Sequence, residues 1–185
     1  MRIYQCLVSS SWQINILSFG NTKIAHLSGP DYFKLAKSCH KSKNTIDAIL
    51  YSVLASQLMH PFSAYLSYDI QDEADQLRKT INTEAQEKYK FPIPVSSSSS
   101  TPAIVKLTPY VINDTAYPMI SYTTKIPLDD TTELRQEYEM IKSQMHTILP
   151  DLYKDKKAVL YRAFTKDPDG NNPSESYGFS DRMKP

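Results

Sequence analysis

The stretch that most constrains the fold of this chain is residues 44–61, NTIDAILYSVLASQLMHP. Ile46, Ile49, Leu50, Val53, Leu54 and Leu58 recur at spacings of three and four, which puts them on one wide face of a helix. Asn44 suits the cap position. Asp47 places negative charge in the first turn, where the helix dipole favours it, and Pro61 stops the helix just after His60. Burying six such side chains contributes on the order of 10 kcal/mol before chain entropy is charged. A core is therefore specified, although no reaction is.

The flanking segments decide what this helix packs against. Residues 3–8 and 12–16 read as β-strands, the second through the alternation of Trp12, Ile14 and Ile16 with Gln13 and Asn15. Phe19-Gly20-Asn21-Thr22 reads as a tight turn, with a returning strand over 23–27. Ser28-Gly29-Pro30-Asp31 opens a basic helix carrying Lys34, Lys37, Lys41 and Lys43. Residues 62–68 fit strand or helix equally. A third helix runs from a cap at Asp69 or Asp72 to about Tyr89, ending before Phe91-Pro92-Ile93-Pro94. Beyond a serine-rich loop at 96–100, strands at 104–112 and 118–126 flank an Asn113-Asp114-Thr115 turn, with Pro109 and Pro118 pointing to edges. A helix over 131–149, capped by Asp130 or Thr131, and a strand over 157–164 complete the pattern. Strands clustered at intervals predict an α+β fold: a mostly antiparallel sheet packed against about four helices, mainly on one face.

The length of 185 residues suits one domain over 1–165, followed by a polar, loosely ordered tail over 166–185. Twenty-one basic against twenty acidic residues argues against a surface devoted wholly to nucleic acid. No run approaches the roughly 20 apolar residues of a membrane helix, so no membrane partner is expected. Two cysteines, Cys6 and Cys39, are too few for a disulfide framework; with no convincing signal peptide, a cytoplasmic location is expected, in the protein's own cell or a host cell. The four glycines fall nowhere near a phosphate-cradling spacing, and no other motif calls for a cofactor, so none is expected.

Several chemistries compete for the polar residues. Cys39 precedes His40 among lysines, but neighbours on a helix do not face each other, so a thiol enzyme would need a histidine such as His60 brought in by the fold. Histidines and cysteines lack metal-ligand spacing, so no metal is expected. Residues 165–176 offer acidic positions around Gly170 but lack Asp at the first and Glu at the last position of a calcium loop; Pro-Asp-Gly there reads as a turn. The basic helix, with Lys154, Lys156, Lys157, Arg162 and Lys166, would suit a phosphate backbone, which makes a nucleic-acid module the third reading. Thirteen tyrosines, Tyr110, Tyr117 and Tyr122 among them, supply broad contact surfaces with polar tips on proline-marked strands. The leading expectation is a non-catalytic accessory, adaptor or inhibitor that binds another protein through Tyr110, Tyr117, Tyr122, Lys34, Lys37 and Lys41, with self-association as a further possibility. A cysteine-dependent hydrolase or transferase is the alternative.

Overall fold

The computed structural model describes residues 2–8, 11–18, 21–60, 68–96, 101–166 and 175–183, with residues 2–18 described by their backbone only. The expected turn at Phe19-Gly20, the ambiguous stretch up to residue 67, most of the serine-rich loop and the Pro-Asp-Gly turn lie outside the described residues.

The chain opens with an antiparallel hairpin, β1 (Arg2–Val8) with β2 (Ser11–Ser18), which forms a two-stranded sheet of its own. The strand expected over 23–27 is instead two short ones, β3 (Lys23–Ile24) and β4 (Leu27–Ser28). The chain reverses between them at Ala25 and His26, both left-handed at φ 49° and 64°. Such a reversal ordinarily uses Gly, Asn or Asp, so Ala25-His26 carries no turn signal in the sequence.

Three helices follow: α1 (Gly29–Lys41), α2 (Thr45–Met59) and α3 (Gln71–Tyr89). Ser28 donates its backbone N–H to Asp31 at 3.0 Å, which fixes the start of α1 and lowers the Asp31 carboxyl pKa through the hydrogen bonds from Ser28. Asn44 caps α2 by accepting from the Asp47 N–H at 3.3 Å. Neither Asp69 nor Asp72 caps α3: it starts from Ile70 without a side-chain cap, and Asp72 and Glu73 lie in its first turn.

The first half of α2, with Ile46, Ala48, Ile49 and Leu50, belongs to the core against the large sheet. Its second half, with Leu54, Ala55, Leu58 and Met59, packs with Tyr32, Phe33, Ile24 and Ala74. Ser52 and Ser56 are buried as well. The single apolar face expected for this helix therefore widens to most of its circumference, because small Ala and Ser positions admit neighbours on the remaining sides.

The large sheet runs in the order β5-β6-β7-β8-β9. Its strands are β5 (Ile93–Pro94), β6 (Ala103–Ile112), β7 (Thr115–Thr123), β8 (Ala158–Phe164) and β9 (Ser176–Arg182). All pairings are antiparallel except β7 with β8. That parallel step requires a crossover, which α4 (Thr131–Ile148) supplies. Leu134, Tyr138, Ile141 and Met145 of α4 join Ile120, Tyr122 and Tyr161 in the core, and Tyr138 stacks on Phe179 at 4.5 Å. The class is α+β.

Strand β9 corrects the expectation of a loosely ordered tail over its residues. Tyr177, Phe179 and Asp181 alternate with Gly178, Ser180 and Arg182, and the aromatic side chains reach the helix-covered face. The small residues between them concealed the pattern.

Candidate functional site at the open edge of the sheet

Strand β6 is paired with another strand along its whole inner side but only at one end of its outer side, where Leu107 and Pro109 are themselves buried by the neighbouring helices. Its inner side matches β7 from Ala103 to Ile112, with an irregularity at Val105. Its outer side pairs with β5 only at Ala103 and Ile104. β5 is short because Pro92 precedes it and Pro94, which has no N–H, ends it. From Val105 to Ile112 no strand pairs with the outer side among the described residues.

The hairpin turn determines which main-chain groups face outward. Asn113 and Asp114 have φ 47° and 57°, a two-residue turn matched to the twist of the strands. Such a turn makes Ile112 and Thr115 a hydrogen-bonded pair, and the antiparallel ladder then alternates. Tyr110 and Thr108 direct their main-chain groups to β7, whereas Val111, Pro109 and Leu107 turn theirs outward. Pro109 thus sits where its missing N–H breaks no ladder bond.

A groove of about 390 Å³ runs beside this edge, between β6 and helices α2 and α3. Ile49, Val53, Ala85 and Phe91 give it an apolar wall, and Gln57, Asn82 and Arg78 a polar rim. Arg78 donates to the Ser56 hydroxyl at 2.8 Å, which holds its guanidinium in place. Exposed Lys79 and Lys106 add to the positive character of this side. At the hairpin tip Tyr110 is 36% and Ile112 41% exposed, the exposed large hydrophobics among the described residues. Arg162 lies over the Tyr110 ring at 5.1 Å.

The other edge of the sheet is guarded. Asp181 of β9 points to the helix-covered face and pairs with Lys142 of α4 at 2.9 Å. An inward charge of this kind discourages strand addition. Lys106 and Pro109 on β6 act in the same direction but leave a short run free.

The structure separates the residues expected to act together. Tyr110 is at the exposed tip. Tyr117, its partner in the ladder, lines a cleft between β7 and β8. Tyr122 is fully buried, and burial followed by the Glu137 carboxylate pushes its hydroxyl pKa far up, so it is a core residue and not a contact residue. Lys34 is exposed. Lys37 pairs with Glu73 at 2.7 Å on an open surface, where such a pair contributes little. Lys41 borders a groove with Lys43, Lys88 and the His40–Glu84 pair. Lys156 pairs with Asp47 at 2.6 Å with only 14% and 17% of the two side chains exposed. That pairing neutralises Lys156 on the spot, whereas Arg162 keeps its charge over the Tyr110 ring.

Cys39 and His60 are not brought together. Cys39 lies beside the first turn of α2, where its carbonyl accepts from the Asn44 N–H at 2.9 Å, whereas His60 caps the last turn. The 15 residues of α2 separate them by about 22 Å. Burial, and then the Asp47 carboxylate, push the Cys39 thiol pKa up, with Lys156 opposing. His60 ties α2 to α3: its Nδ1 lies 2.7 Å from the Ser56 carbonyl oxygen, and its Nε2 lies 2.8 Å from Gln71 and 3.3 Å from Asp75. The Ser56 hydroxyl donates to Asp75 at 3.1 Å and accepts from Arg78, so Ser, His and Asp meet here without a nucleophile–base pair.

Among the described residues no three His, Cys, Asp or Glu side chains gather as a metal site. None of the described helices is long and apolar enough to cross a membrane. Sequence reasoning missed the groove residues Val53, Gln57 and Arg78, because their grouping depends on how α2 and α3 pack; Pro109 was the available signal for the edge. A scan of protein-family models and searches of curated proteins and of solved structures give no match to this chain.

Proposed function

We propose that this protein works without catalysis, by binding another protein that adds an extended segment to the outer edge of β6. The observation that carries the reading is the unpaired run from Val105 to Ile112 beside a groove with an apolar wall. Strand addition takes its strength from main-chain bonds and its selectivity from alternate side chains. Leu107 and Val111 offer outward donors, and Leu107, Pro109 and Val111 outward acceptors. At about 1 kcal/mol net each, these bonds contribute about 5 kcal/mol. Micromolar affinity needs about 8 kcal/mol, so apolar side chains in the groove must supply the remainder. Arg78, Lys79 and Lys106 favour acidic residues at the intervening positions. Tyr110 and Ile112 extend the contact around the tip.

Selection of random peptides displayed on phage tests this. The expected consensus alternates apolar and acidic residues. Val111→Pro removes an outward N–H while leaving the β7 ladder intact, and Val53→Glu places charge in the groove; each should weaken the selected peptides about ten-fold or more. Peptides indifferent to both substitutions would refute the assignment.

A further inference from the structure

On the opposite side of β7 a second feature stands apart from the β6 edge. β7 and β8 are paired only from Met119 and Leu160 onward. Below that point they splay, and a cleft of about 210 Å³ opens between residues 115–118 and 155–158, floored by α2. The cause of the split lies in the chain. The alternation that turns Tyr117 towards β6 turns Ala116 and Pro118 towards β8, and Pro118 has no N–H to give. Ala116 turns its N–H and C=O towards the cleft, and the register gives it no paired residue on β8. Such groups call for a partner.

The surroundings narrow what that partner is. Leu50, Leu54, Pro109 and Ala158 line the cleft with apolar surface. The charged groups at its mouth cancel: Asp47 and Lys156 form the ion pair described above, and Asp155 and Lys157 add one charge of each sign. An ion of either sign gains nothing from such a rim. A cavity of about 150 Å³ holds benzene, so this one accommodates a single ring with a short substituent. Adjacent main-chain donor and acceptor groups are complementary to a cis-amide edge, in which N–H and C=O lie side by side.

We propose that the cleft binds a neutral, single-ring heterocycle through a cyclic amide edge, the chemistry shared by lactams and pyrimidine-type bases. The ring lies between the proline and leucine side chains, its N–H donates to the Ala116 carbonyl, and its C=O accepts from the Ala116 N–H. The assignment is independent of strand addition at β6, so either can fail without the other.

The probes are 2-pyridone and uracil, with 1-methyl-2-pyridone as the donor-deleted control, titrated while backbone amide resonances of the whole chain are followed. The expected result is saturable binding of 2-pyridone and uracil that shifts the Ala116 amide, with the methylated ring about ten-fold weaker or worse. Ala158→Leu should fill the cleft and abolish binding at an unchanged unfolding midpoint. No saturable binding, equal binding of the methylated ring, or shifts centred away from Ala116 would each overturn the proposal. The comparison of the two pyridones on the unaltered protein decides the matter even if Ala158→Leu does not fold.

Discussion

Replacing Gly29 with alanine probes the contact on which the helical layer depends. Gly29 begins α1 where it crosses the last turn of α2. A methyl group there would lie 2.8 Å from Met59 Cγ, 3.2 Å from Met59 N and 3.3 Å from the Leu58 carbonyl carbon. The methionine side chain is flexible enough to yield. The two main-chain atoms are not, so the helices must separate by a few tenths of an ångström. Overpacking of this kind costs about 1–3 kcal/mol. Alanine's better helix propensity returns up to about 1 kcal/mol, leaving a net loss of about 1–2 kcal/mol. Gly178 is the control: a methyl group there meets nothing closer than the Tyr161 carbonyl oxygen at 3.9 Å. Gly178→Ala should be neutral or more stable by about 0.5 kcal/mol. Urea unfolding reads both. With a slope of about 2 kcal/mol per molar, Gly29→Ala should lower the midpoint by about 0.5–1 M at unchanged slope. A Gly29→Ala variant as stable as the parent, or a Gly178→Ala variant that loses more, would refute the packing argument.

Three further outcomes follow from burial. Leu54→Ala should cost about 2–5 kcal/mol, since Leu54 is 1% exposed, whereas Val53→Ala on the groove side should cost under about 1.5 kcal/mol; equal losses in urea unfolding would contradict the placement of α2. Burial holds the folded pKa of Tyr122, Tyr138, Tyr153 and Tyr161 above the ordinary tyrosine value. The folded state thus keeps protons that the unfolded state releases, so the tyrosines' contribution to stability should be level up to about pH 10 and be lost above it; an unfolding midpoint that does not fall between about pH 10 and 11 would contradict this. In a Cys6→Ser background, Cys39 should react slowly with a disulfide reagent at neutral pH and more slowly still after Lys156→Met, which removes the charge that opposes the upward shift; rapid labelling would revive the thiol chemistry.

Much of the fold was legible because local signals agreed. The Asn44 cap, the spacing of the apolar residues and Pro61 placed α2 within two residues, and Asn113-Asp114-Thr115 located the β6–β7 turn, although Thr115 already belongs to β7, which runs over Thr115–Thr123 and not 118–126. Three features were not legible, each for a physical reason. The reversal at Ala25 and His26 uses residue types that rarely turn the chain. β9 was hidden because Gly178 and Ser180 dilute its alternation. The parallel pairing of β7 with β8 depends on α4 folding back, a contact between distant segments. The candidate site was half legible. Pro109 and Pro118 both announce a main chain with no ladder partner, but the sequence does not say that one faces a groove and the other a cleft. Tyr122 shows the opposite limit: a tyrosine on an exposed-looking strand became core once α4 covered it.

The central claim is that the outer side of β6 is open and takes a partner strand. Amide hydrogen exchange at single-residue resolution tests it most directly. In the unbound protein the Thr108 and Tyr110 amides should exchange slowly, held by β7, while those of Leu107 and Val111 exchange faster. A selected peptide should slow Leu107 and Val111 and leave β9 unchanged. Slow exchange at Leu107 and Val111 before any peptide is added, or protection that appears on β9 instead, would contradict the account.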